Sequence, residues 1–129
     1  MELVWPATAG EGLAFLTALA TFLIGLFITV APATFMGWIG LGGARGVAGG
    51  VSEVRSALGG MWTGLGLAAL LLAQPLVYLA LAVAFLGVTL ARIAGMAAER
   101  RTTPAIALAT LFEAASAFCA AAWPLGWIA

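Results

Sequence analysis

Histidine, lysine and aspartate are absent from this chain, and cysteine occurs once, at Cys119. Without histidine the commonest general base and the commonest metal or haem ligand are missing. A single cysteine makes no internal disulfide and no C-x-x-C relay. Charged residues make up only 8% of the sequence, against about 25% in soluble domains. Arginine and glutamate balance to a net charge of zero, so there is no basic face for nucleic acid. No nucleophile–base pair and no metal-ligand spacing stands out. The expectation is a non-catalytic protein with no cofactor, no metal and no nucleic-acid partner.

What is present is apolar. Hydrophobic residues are 64% of the 129 and mean hydropathy is +1.17. Such a chain lacks the polar groups to cover a water-facing surface, so its solvent is the lipid bilayer. The length suits one domain, residues 1–129. Runs of about 20 apolar residues cross a hydrocarbon core of about 30 Å. The chain offers four, at about 12–31, 53–73, 76–98 and 104–123. The fold class expected is all-α: an integral membrane four-helix bundle.

Punctuation supports the boundaries. Pro32 ends or kinks the first span, and Ala33 to Leu41, with Trp38, extends it or lies at the interface. The glycine-rich stretch Gly42 to Gly50, which includes Arg45, has neither G-x-G-x-x-G nor Walker spacing and reads as a flexible connection. Ser52 reads as an N-cap with Glu53 in the first turn behind it. Pro75 and Pro104 suit first helical positions, the latter after the N-cap Thr103, and Pro124 stops the fourth helix. The segment Met1 to Glu11 has no positive residue, so the first span reads as a retained helix and not a cleaved leader.

All five arginines lie in or beside the first and third connections. By the positive-inside rule both termini then face the outer side, the periplasm for a bacterial inner (cytoplasmic) membrane. Trp5, Tyr78, Trp123 and Trp127 fall on that outer side as an aromatic belt.

Two features carry candidate chemistry. Ser56, Gly60, Gly64 and Ala68 recur every four residues on the second span, next to Gly59. Such a small-residue face lets another helix, or a ligand, approach bare backbone. On the fourth span Ala105, Ala109, Glu113, Ala117 and Ala120 share one side, and the two faces could meet inside the bundle. Glu113 stands nine positions beyond Pro104, about 13 Å along the helix and so near mid-membrane. An ionisable group at that depth costs about 3 kcal/mol or more unless paired, protonated or hydrated. Arg92 and Arg55 are the competing partners. With Glu53 they make up the expected buried charge cluster: Glu113, Arg92, Arg55 and Glu53.

E-V-R-S-A-L-G-G followed by G-L-G, the stretch A-P-A-T-F-M-G-W-I-G-L, an arginine late in the third span and a glutamate in the fourth occur together. On these the chain resembles a family of small bacterial four-span membrane proteins classed as a domain of unknown function. The resemblance runs from about Phe15 to Cys119 and points to Glu53, Arg55, Gly59, Gly60, Arg92 and Glu113. The glycine-rich insert before Glu53 departs from the pattern. The resemblance implies a fold and brings no activity with it.

Two functional readings stand. One is a non-catalytic accessory or assembly subunit of a larger membrane complex, or a binder of a lipophilic molecule. The other is a small proton-coupled transporter, a dimer, that uses Glu113. Either leaves helix faces for lipid, for a second copy or for a partner membrane protein.

Overall fold

A computed structural model describes residues 4–42 and 49–129. The glycine-rich connection expected around Arg45 falls mostly on residues 43–48, outside the described residues. Five helices and no strand are found among those described. They are α1 (Ala9–Val30), α2 (Pro32–Trp38), α3 (Gly50–Leu72), α4 (Pro75–Glu99) and α5 (Pro104–Ala122). Four of them, all but α2, are long and apolar enough to cross a membrane. Large apolar side chains such as Val30, Leu76, Leu108 and Leu111 face outward. That surface suits hydrocarbon and not water. The chain is a multi-pass membrane protein.

Four of the five helices start at a capping threonine or a first-turn proline, which meet or remove the free amides of a first turn. Thr8 caps α1: its hydroxyl accepts from the Glu11 amide at 3.2 Å. Glu11 reaches back in turn, its carboxylate accepting from the Ala7 and Thr8 amides at 2.7 and 3.2 Å. This reciprocal capping box starts α1 at Ala9, slightly before the apolar run. Pro75 opens α4 and Pro104 opens α5, the latter behind Thr103, whose hydroxyl accepts from the Ile106 amide. Inside the spans, threonine hydroxyls donate to carbonyls one turn back, as Thr21 does to Thr17 and Thr89 to Phe85. These bonds satisfy the threonine hydroxyls within their own helices.

One local expectation is corrected and another is made more definite. Ser52 is not a cap, because α3 begins at Gly50 behind Gly49, whose φ of +87° suits glycine. The Ser56 hydroxyl instead donates to the Ser52 carbonyl at 2.9 Å. Pro32, expected to end or kink the first span, stands just beyond its last helical residue, Val30. It opens a separate short helix, α2, with Trp38 stacked on Phe27 at 5.1 Å between ring centroids. Residues Val54–Gly60 of α3 form a π-helical segment, a wider turn that the sequence pattern did not signal.

The helices form a ring in which α1 packs on α3, α3 on α4, α4 on α5 and α5 on α1. The closest pairs are α1 with α3 and α4 with α5. Helices α3 and α5 stand diagonally, so the two small-residue faces do not form a helix pair.

The backbone approach that does occur is between α1 and α3. A Cβ on Gly25 would strike the Thr63 amide, one on Gly59 would come 2.7 Å from the Thr29 amide, and one on Gly66 would lie 2.8 Å from the Ala18 carbonyl. At the end of the bundle that carries the chain termini, Ala14, Ala18, Ala69, Leu81, Phe85 and Ala120 close the core. The tail folds back there, and the Gly10 amide donates to the Ala129 carbonyl at 3.2 Å.

Gly25→Ala or Gly66→Ala should destabilise the bundle by about 1–3 kcal/mol through overpacking. Gly64, with open space around a built Cβ, should accept alanine with a change within about 1 kcal/mol. Thermal unfolding in detergent checks both. Equal losses at Gly64 and Gly66 would contradict this crossing.

Candidate functional site: an ion pair in an interhelical cavity

Arg92 of α4 and Glu113 of α5 meet as the sequence allowed. A four-residue connection after Glu99 makes α4 and α5 antiparallel neighbours. Arg92 lies seven residues before the end of α4, about 10 Å along the axis, and Glu113 about 13 Å beyond the start of α5. The long arginine side chain spans the difference in depth. Its Nε donates to Glu113 Oε2 at 2.8 Å and its Nη2 to Oε1 at 2.5 Å. This two-pronged contact engages both carboxylate oxygens and fixes the rotation of both helices. Glu113 is buried, its side chain 4% exposed, whereas that of Arg92 is 35% exposed. The carboxylate is shut in, and the guanidinium keeps an open edge.

The pair sits in the wall of a cavity of about 530 Å³. The lining comes from every helix: Ile24 and Ile28 of α1, Phe35 of α2, Leu58, Met61 and Trp62 of α3, Val88 of α4, and Ala105, Ile106, Ala109 and Phe112 of α5. Ile39 and Leu41, beyond α2, complete it. Apart from Arg92 and Glu113, every lining side chain is apolar. The space exists because α3 and α5 stand diagonally and two of the α5 residues that face it, Ala105 and Ala109, fill it with methyl groups alone. The bundle is therefore packed shut at the terminal end and hollow at the end carrying the Glu99–Thr103 connection.

The four-residue charge cluster is corrected to a pair. Glu53, just before the π-helical part of α3, and Arg55, within it, are exposed, and among the described residues the ion pair is that of Arg92 with Glu113. The small-residue face is corrected too. Of its members only Gly59 is buried; Ser56, Gly60 and Gly64 are exposed, and Ala68 is half-buried. A four-residue repeat holds one face only on a regular α-helix, and the π-helical segment rotates the residues beyond it. Gly25, Thr63 and Gly66, which form the close crossing, escaped sequence reading. The seven-residue spacing from Gly59 to Gly66, matched by Ala18 to Gly25 on α1, was the available signal. Trp62, Phe35 and Phe112, the aromatic cavity walls, carry no sequence signal beyond being apolar.

Comparison with protein families, with characterised proteins and with solved structures finds no match for the chain. Function has to be argued from the geometry.

Glu113→Gln should lower bundle stability by about 3 kcal/mol, because a buried pair that loses one partner leaves the other charge uncompensated. Arg92→Gln should cost about as much or slightly less, its side chain being partly exposed. Arg55→Gln should change stability by less than about 0.5 kcal/mol. Unfolding curves in detergent decide, and an Arg55→Gln loss as large as that of Glu113→Gln would contradict the assignment.

Proposed function

We propose that this chain is a non-catalytic, multi-pass protein of the bacterial inner membrane that holds a lipophilic molecule in the cavity beside Arg92 and Glu113. The observation that carries the reading is the cavity itself. Its volume of about 530 Å³ lies within the roughly 300–1,000 Å³ of small-molecule sites, which are mostly apolar with a few placed polar groups. A well-packed bundle would have filled the space with larger side chains than Ala105 and Ala109. The membrane assignment draws on the likeness to the small bacterial four-span family. The arginine distribution supports placing both termini outside and the cavity towards the cytoplasmic leaflet. The double contact from Arg92 favours a binder over a proton carrier, because it holds both carboxylate oxygens of Glu113 in a fixed pair.

Purification in mild detergent followed by mass spectrometry of the extracted lipids tests the reading. Ala109→Trp places an indole inside the cavity and should remove a co-purifying lipophile while the helical content stays. Leu111→Trp, on the outward face (67% exposed), should leave it in place. An unchanged lipid complement in Ala109→Trp overturns the binding role. Substrate-dependent proton flux that Glu113→Gln abolishes without unfolding would favour the transporter instead.

A further inference from the structure

The cavity also constrains the polar end of its occupant, an inference that rests on the binding role proposed above. Arginine carries five N–H bonds. Two of those on Arg92 go to Glu113, and no other hydrogen bond from this side chain to the described residues is found. Three donors therefore remain on a group that lines the cavity and is about a third exposed. Glu113 offers nothing comparable, since its side chain is only 4% exposed and lies behind the guanidinium it pairs with. The polar end of the site donates and does not accept.

Charge narrows the class further. Arg92 and Glu113 together are neutral, and every other lining side chain is apolar. An anionic headgroup on the free edge of Arg92 would give the site a net negative charge beside the Glu113 carboxylate, away from water, where like charges repel strongly. A cationic group would meet the guanidinium first. A plain hydrocarbon would cover the three donors without pairing them, and unmet buried donors are penalised. We propose that the cavity selects neutral lipophiles bearing a carbonyl acceptor, such as an ester or ketone, with the acceptor on Arg92 and the chain against Trp62, Met61 and Phe112.

The test uses the full chain in lipid nanodiscs, in alkaline buffer, with three bromine-labelled dodecyl probes: a methyl ester, the matching carboxylate and the matching alkane. Bromine quenches tryptophan at contact, and the part of the quenching lost in Trp62→Phe reports the cavity. The ester should bind about tenfold or more tighter than either the carboxylate or the alkane, the worth of a hydrogen bond to a charged donor. Arg92→Met combined with Glu113→Leu removes the pair and leaves an apolar wall, an exchange that buried pairs often tolerate. In that double variant the ester and the alkane should bind alike, within about twofold. Carboxylate binding as tight as the ester, or an ester preference that survives in the double variant, overturns the proposal. If no probe, the ester included, quenches Trp62, then the binding role itself fails.

Discussion

The constraint on which this structure depends is the burial of the Glu113 carboxylate in a lipid-solvated bundle. A lone ionised group at that depth would cost several kcal/mol, so its surroundings must supply a counter-charge and hydrogen bonds. Arg92 supplies both, with two N–H donors on the two carboxylate oxygens. Because the guanidinium fork is rigid and planar, the contact is satisfied in few arrangements of α4 against α5. Lipid gives helices no hydrophobic reason to associate. A directional contact of this kind then sets register where side-chain volume alone would leave it loose.

The other half of the bundle solves the same problem by a different route. Helices α1 and α3 carry no charge pair between them and gain contact through Gly25, Gly59 and Gly66, which let backbone reach backbone. Close approach multiplies dispersion contacts, which is the remaining source of helix affinity in lipid. One glycine-bound pair and one ion-paired pair meet along the packed terminal end, through residues such as Ala14, Ala18 and Phe85. Towards the other end they part around the cavity. Its polar feature is thus the contact that orders one of its walls.

Much of this was legible in the sequence, for identifiable reasons. Prolines 32, 75 and 104 mark helix starts because their missing amide costs nothing there. The four spans follow from apolar run length alone. Helix rise placed Glu113 and Arg92 at similar depth, and their separation by one short connection made them neighbours. The choice between Arg92 and Arg55 was not legible, since it depends on how α3 rotates, and that rotation is altered by the π-helical segment Val54–Gly60. The same segment turned Gly60 and Gly64 outward and defeated the four-residue stripe. The cavity was hidden for another reason. It arises from which helices are diagonal, and the order of a four-helix ring is not written in any one of them.

Among the described residues the buried charge reduces to one neutral pair, set in an apolar hollow. The account stands or falls on that pair being energetically coupled in the membrane. A double-mutant cycle of wild type, Arg92→Met, Glu113→Leu and the combined variant, read as unfolding free energy in detergent, measures the coupling directly. The account predicts a coupling of about 2–3 kcal/mol, with the combined variant more stable than at least one of the single ones. Additive losses, with coupling below about 0.5 kcal/mol, would contradict it.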